Sequence, residues 1–431
     1  MATTVDHVAA DRREVGASGL GRVCLVGINY APETTGIAPY TTAMARAWAD
    51  AGAVVDVVTG VPHYPAWRVE DERYARGRSW HERDGAVALH RVRHHVPASA
   101  DLRGRARMEA SFLRRATPLV RRSAAGVVVA VTPSMSALAA AVTGARGRPV
   151  GVVVQDLTGR GAQESGSTGG AAASLIGRAE VALLRRCAAV GVITPQFGAT
   201  LTAAGVPADR IVEVGNFTHV RPSAATRDEA CARLGWDPSV FRVVHTGNMG
   251  RKQGLEHVVE AALLAAARGV TGVELVLVGS GNCRDELVAA AAGLPTVRVL
   301  DPVDAERYPL VLAAADVLLL HERPGVREMC LPSKLTSYTA AGRPVLAAVE
   351  REGIAGRQLV AADAALVVPP GDADALLAAV ERLRADRGLR DRLAAAARRL
   401  GEETYGEPAA RARYVGLLRG LVARTGAGVA A

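Results

Sequence analysis

The sequence predicts an α/β protein of two Rossmann-like, doubly wound domains, and three observations carry that expectation. The 431-residue chain is long enough to bury two separate cores. Hydrophobic residues make up 49% of it, mostly Ala, Val and Leu, with aromatics at only 4%, which suits Val-rich parallel strands alternating with Ala/Leu-rich helices. A strand–loop–helix–strand opening at residues 22–59 also restarts after residue 238.

In the first half the expected strands are Arg22–Gly27, Val54–Thr59, Val87–Val92, Gly126–Val131, Val150–Val154 and Val190–Thr194, short apolar runs separated by Ala-rich or amphipathic stretches. Residues Pro222 to Pro238 are poor in β-branched side chains and read as a connector plus a helix. The second half then gives Phe241–His245, Val273–Val278, Val297–Leu300, Val317–Leu320, Pro344–Ala347 and Ala365–Val368, with helices from about Asp372 onward. This divides the chain into a loose leader at 1–19, a first domain at 20–218, a second at 219–405, and a returning helix and tail at 406–431.

The formal charge of +9 suits an anionic partner such as phosphorylated substrates or an acidic membrane surface. Arginines are spread along the chain without the basic-plus-aromatic clusters of a nucleic-acid binder, so nucleic acid is not an expected partner. Cys24, Cys187, Cys231, Cys283 and Cys330 lie far apart and form no CxxC pair, which argues against a zinc site or disulfide framework. The acidic leader does not read as a signal peptide, and the uncharged stretch from Ser123 to Ala145 is broken by Thr132-Pro133-Ser134 into strand, turn and helix. A cytoplasmic protein is the expectation.

Three loops following strands have the composition of an anion site, and a fourth that of a close approach to the main chain. Gly27 to Tyr40 places Gly36 before a helix expected to start near Thr41, where free N–H groups and the helix dipole favour negative charge. Its spacing is not GxGxxG, so a nicotinamide cofactor is not supported; an ordinary connecting loop reads equally well. Thr246-Gly-Asn248-Met-Gly-Arg251-Lys252-Gln-Gly254 repeats the theme between a strand and a helix, with two cations. Gly279-Ser-Gly281 would admit a flat base or ribose near the main chain. His321 to Lys334 leads into a helix whose start carries Ser333 and Lys334, a second phosphate clamp. Asp372-Ala-Asp374 spells DxD but reads as a helix N-cap, so no metal is expected.

The segments GINYAPETTGIAPYT, GVPHYPAW, VVVQDL, GNMGRKQGLEHVVEAA and LPSKLTSYTAAGRPVLA resemble family 4 of the retaining glycosyltransferases, of the colanic-acid fucosyltransferase type, from about Val23 to Val380. The resemblance implies the GT-B fold, two such domains facing across a cleft, and a nucleoside-diphosphate sugar as donor. It implies that Arg251, Lys252, Ser333 and Lys334, flanked by Asn248, Pro332 and Leu335, hold the diphosphate, with Gly36 approaching it from the other domain. Gly279, Gly281 and the loop ending at Val303 would frame the nucleoside, and Glu322, Arg323 and Glu328 would lie near the sugar, Glu328 accepting from its hydroxyls. The family's two glutamates eight positions apart fall here on Met329 and Ser337, and its acidic residues after QDL are partly replaced by the segment following Leu157, so those contacts are not carried over.

Acceptor-side candidates are Asp156, which would orient or deprotonate an acceptor or cap its strand, and His63 in Pro62-His-Tyr-Pro65, which otherwise reads with His94-His95 as a solvated loop histidine. The stretch 101–122, rich in Arg with Met108, Phe112, Leu113 and Leu119 between, suits either a membrane surface or an ordinary surface helix. The expected function is retaining, metal-independent transfer from a GDP- or UDP-linked sugar. The acceptor is a lipid-linked saccharide or a secondary-metabolite intermediate such as an antibiotic precursor, attacking through O or S. A sugar-nucleotide epimerase or a non-catalytic nucleotide-sugar binder is the alternative.

Overall fold

The structure, a computed structural model, describes residues 19–98, 102–157, 170–327 and 333–427. The expected leader, Glu328 and Pro332 therefore lie outside the described residues, apart from Gly19. The chain separates into two compact units, one of Met1–Val153, Arg186–Val190 and Tyr414–Ala431, the other of Val154–Arg185 and Gly191–Arg413.

The first sheet has the order β3-β4-β2-β1-β5-β6-β7-β8. Its strands are β1 (Arg22–Val26), β2 (Val54–Gly60), β3 (Ser79–Asp84), β4 (Val87–Val92), β5 (Val127–Val131), β6 (Val150–Val154), β7 (Ala189–Val192) and β8 (Ile211–Glu213). β1 pairs in parallel with β2 and β5, β2 with β4, and β5 with β6. Along β5 and β6 every residue is buried, the continuous apolar pattern of strands covered on both faces. The helix Glu407–Ala427 contributes to this unit: Trp48 Nε1 donates to the Tyr414 carbonyl at 2.8 Å, and Gly151 leaves room for Leu421, whose Cδ1 would lie 2.5 Å from a Cβ there.

Two strands of this sheet are absent from the sequence reading. β3, Ser-Trp-His-Glu-Arg-Asp, runs antiparallel to β4 at the sheet edge, with alternating exposed and half-buried residues that give no apolar run. β8 has only three residues. The first helix starts at Ala38 rather than near Thr41, because Pro39 in its opening turn needs no N–H partner there.

The second sheet, all parallel, has the order β11-β10-β9-β12-β13-β14. Its strands are β9 (Phe241–Asn248), β10 (Val273–Ser280), β11 (Val297–Leu300), β12 (Val317–His321), β13 (Val345–Ala348) and β14 (Leu366–Val368). In chain order this is 3-2-1-4-5-6, so the winding reverses between β9 and β12, and a crevice at the carboxyl ends of those strands follows from the topology. Val243, Leu275, Leu277, Leu319 and Leu346 form its core with Val258, Val259 and Ala262 of the helix Glu256–Ala267 and with Leu376, Leu383 and Leu393 of the late helices. The helix Arg227–Leu234 leading into the sheet has a Thr226/Glu229 capping box and ends on Gly235 in the left-handed region. Asp372 accepts from the Ala375 N–H at 2.8 Å, so the DxD is a helix cap.

Gly279 aligns with Gly247 across β9 and β10; at φ 151° a Cβ on it would sit 1.9 Å from the Gly247 carbonyl oxygen. Gly279→Ala should cost at least about 2 kcal/mol, read as a lowered midpoint of unfolding. Gly416→Ala, inside a helix with open space around it, should leave the midpoint unchanged or slightly raised.

Candidate functional site

The carboxyl end of β9 runs into Met249, Gly250, a short 3-10 turn at Arg251–Gln253, and Gly254 in the left-handed region. Main-chain bonds fix this loop from two sides. On the β10 side the Met249 N–H donates to Ser280 O at 2.8 Å and its carbonyl accepts from Cys283 N at 2.9 Å. On the β12 side Arg323 N donates to Lys252 O at 2.8 Å, and His321 Nδ1 donates to Gln253 O at 2.7 Å. The Gln253 side chain closes the turn by accepting from Gly250 N at 3.1 Å and Asn248 Nδ2 at 3.2 Å. Gly254 must be glycine twice over: its φ is 58°, and a Cβ would lie 3.0 Å from Arg323 Cα.

The side chains around this loop are mostly cations. Arg251 and Arg323 are exposed and have no carboxylate partner among the described residues. Lys252 Nζ lies 4.0 Å from Glu322 Oε1, both largely buried. Lys334, in the helix Ser333–Ala340, reaches back under the loop so that its Nζ lies 3.0 Å from His245 Nε2 and its Cε lies 3.8 Å from where a Gly247 Cβ would be. The two histidines add no charge. Burial first, then Lys334, holds His245 well below the usual imidazole range, and burial holds His321 down to about 4. Among the described residues, Arg251, Lys252, Arg323 and Lys334 gather with Glu322 at the end of a parallel sheet, an arrangement suited to a polyanion.

The remaining expected donor residues divide by what they offer. Ser333 is exposed at the first turn of its helix, whereas Leu335 is fully buried and presents only its main chain. Gly279 and Gly281 are glycine because a Cβ would strike Gly247 O at 1.9 Å and Met249 O at 2.5 Å; main-chain packing accounts for them before any ligand does. Val303 is half-buried in the loop after β11, where Arg284 Nη2 donates to Asp301 Oδ1 at 2.5 Å. The sequence reading missed a hydroxyl network beneath the loop: the Tyr338 hydroxyl, fully buried, accepts from Thr246 N at 2.8 Å, and Tyr308 bridges Thr246 Oγ1 at 3.0 Å and Ser337 Oγ at 3.3 Å.

In the first unit Gly36, φ 65°, precedes the Ala38–Asp50 helix, with the Tyr64 ring 3.1 Å from a would-be Cβ. His63 is not a solvated loop histidine. It is 5% exposed, donates from Nδ1 to Val61 O at 3.0 Å and stacks edge-on against His94 at 4.7 Å, whose imidazole burial and His63 hold down to about 4. Glu33 is the residue that organises this corner and that the sequence reading passed over. Its buried carboxylate accepts from His63 N at 2.8 Å, Tyr64 N at 2.9 Å and Asn29 Nδ2 at 2.8 Å, joining the loops after β1 and β2. Asp156 lies two residues beyond the end of β6 and is half-buried. Among the described residues no three His, Cys, Asp or Glu side chains gather as a metal site, and no helix is long and apolar enough to cross a membrane.

The helix Leu102–Arg122 is amphipathic and packs as the ordinary surface helix of the two readings. Met108, Phe112, Ala116 and Val120 are its buried stripe, so its apolar side is already used in the protein core. Its outer side is basic: Arg114, Arg121 and Arg122 line a groove of about 470 Å³ with Leu113, Thr117, Pro118 and Arg146.

Comparison with known proteins agrees with this architecture. Residues 35–216 match the model of the glycosyl transferase 4-like domain, and residues 240–386 that of the glycosyl transferases group 1. The chain is 30% identical over 340 residues to the putative colanic acid biosynthesis glycosyl transferase WcaI of Escherichia coli, covering 74% of this chain and 81% of that one. Among solved structures, sucrose-phosphate synthase from Thermosynechococcus elongatus superposes with a TM-score of 0.74 at 19% identity, covering 94% of this chain and 100% of that one. Anabaena HepE in complex with UDP gives 0.68 at 14% identity, covering 92% and 99%. With the match to WcaI extending through both halves, the chain belongs to the family 4 glycosyltransferases and has their GT-B fold.

Proposed function

We propose that this glycosyltransferase takes its sugar from a nucleoside diphosphate held at the β9 and β12 ends of the second unit, and transfers it with retained anomeric configuration. The observation that carries the reading is the gathering of four cations, Arg251, Lys252, Arg323 and Lys334, around a glycine-rich loop, with Glu322 beside Lys252. In it, Lys252 and Lys334 stabilise charge growing on the departing diphosphate as the sugar becomes oxocarbenium-like, a preorganised electrostatic effect that asks for no metal or further cofactor. Ser333 and Leu335 add main-chain N–H groups, Val303 and the Gly279–Gly281 turn border the nucleoside, and Glu328, with Pro332 outside the described residues, takes the sugar hydroxyls. Asp156 and His63 are assigned to the acceptor, one of them orienting or deprotonating the attacking hydroxyl.

A uridine or guanosine base is proposed; the UDP complex of HepE supports the first. The colanic acid assignment of WcaI supports a saccharide acceptor in polysaccharide assembly, built on a lipid carrier at the cytoplasmic face. The small-molecule acceptor rests on composition and on the altered segment that follows Leu157. Because the apolar stripe of the Leu102–Arg122 helix is buried, contact with the bilayer in this reading is electrostatic, through Arg114, Arg121, Arg122 and Arg146.

One of UDP, GDP, dTDP or ADP should raise the melting temperature selectively, because a ligand of the folded state must stabilise it, and Lys334→Ala should abolish that shift. A protein indifferent to all four would remove the diphosphate reading. Vesicles with anionic headgroups should retain the protein at low salt and release it as salt rises, whereas neutral vesicles should not retain it. The pair Arg121→Glu and Arg122→Glu should lose the retention, and salt-insensitive or mutation-insensitive binding would contradict an electrostatic contact.

A further inference from the structure

We propose that His245 is a positioning residue for the donor: a buried, uncharged imidazole that holds the Lys334 ammonium in place without cancelling its charge. The inference rests on the donor reading above and names a component that reading does not contain.

His245 stands on β9 two residues before Gly247 and has no solvent exposure. Its Nδ1 lies 3.1 Å from the Leu319 carbonyl of the neighbouring strand β12. A carbonyl only accepts, so the proton is on Nδ1 and the Nε2 lone pair faces outward. That lone pair accepts from Lys334 Nζ at 3.0 Å. The lysine stem runs beside Gly247, its Cε 3.8 Å from where a Cβ would be, an ordinary van der Waals distance. A flexible four-carbon chain is thereby held at both the strand end and the ammonium.

The choice of imidazole has a chemical consequence. An Asp or Glu in this position would fix the ammonium but neutralise it, and an apolar residue would leave its N–H groups unmet. A neutral imidazole gives one hydrogen bond and takes none of the ammonium's charge. Among the described residues the charged or titratable groups acting on it, Lys334 and His321, oppose its protonation as burial does, and together they outweigh the main-chain bonds to Leu319 and Asn248 that favour it. His321, the last residue of β12, is likewise buried and neutral: it donates to Gln253 O and holds the turn that carries Arg251 and Lys252.

The test compares a nucleoside diphosphate with its own monophosphate, using the base that the unaltered protein binds, by calorimetry. His245→Asn keeps a donor for Leu319 O but stops short of Lys334, while His245→Gln extends an amide oxygen towards it. His245→Asn should reduce the diphosphate-over-monophosphate preference roughly tenfold with monophosphate affinity unchanged, and His245→Gln should recover most of it. In a Lys334→Ala background, His245→Asn should change the preference no further, since both act through one ammonium. Equal loss for both nucleotides, or an additive effect in the double variant, would overturn the positioning role. If the variants do not fold, the unaltered protein still decides: a preference that collapses between about pH 8 and pH 6 as a histidine protonates contradicts a neutral acceptor, and a flat one supports it. Failure of the donor reading itself would show separately, as an unaltered protein with no preference for the diphosphate.

Discussion

At the seam between the ends of β9 and β10 the main chains lie too close for a Cβ at Gly279 or Gly281. Gly247 and Gly279 face each other in register, and Gly281 lies against the Met249 main chain. With the strands this close, the Met249 N–H and carbonyl are both bonded across to the β10 end, so the loop from Gly250 to Gly254 starts from a fixed point. Its other end is fixed where Gly254 lies against Arg323 and Lys252 O accepts from Arg323 N. A loop held at both ends presents its cations with little conformational entropy left to lose on binding. Widening the seam would release the loop and the charges together.

Electrostatics then depends on burial. Histidines beside lysines would ordinarily be poor neighbours, since each disfavours the other's charge. Here burial removes the conflict by keeping His245 and His321 neutral, so that they act as hydrogen-bonding struts. The first unit solves a similar problem differently. There a buried carboxylate, Glu33, is satisfied by two main-chain N–H groups and Asn29, and joins two loops at the strand ends. Both devices place polar groups at the carboxyl ends of parallel strands, where the interior gives way to loops.

Much of this was legible in the sequence. The Val-rich runs became strands because a parallel strand buried on both faces needs nearly every side chain apolar, and the break at residues 222–238 became a connector and a capped helix. The Gly247–Gly254 loop and the Ser333 helix start were visible because Gly, Lys and Ser cluster just after a strand and just before a helix. The edge strand β3 was not, since its polar residues carry no burial signal. Nor was the environment of His63, because Glu33 lies thirty positions earlier and only folding makes them neighbours. His245 was hidden in an apolar run, where its partner comes from a helix 89 residues away. The stripe in the Leu102–Arg122 helix was readable as a period, but what would cover it was not.

The most direct test of the central claim is a crystal structure of the protein with a nucleoside diphosphate. The account predicts both phosphate groups over the Gly247–Gly254 loop, within hydrogen-bonding distance of Lys252 and Lys334. Phosphates bound away from that loop, or a bound nucleotide that leaves both lysines without a phosphate contact, would contradict it.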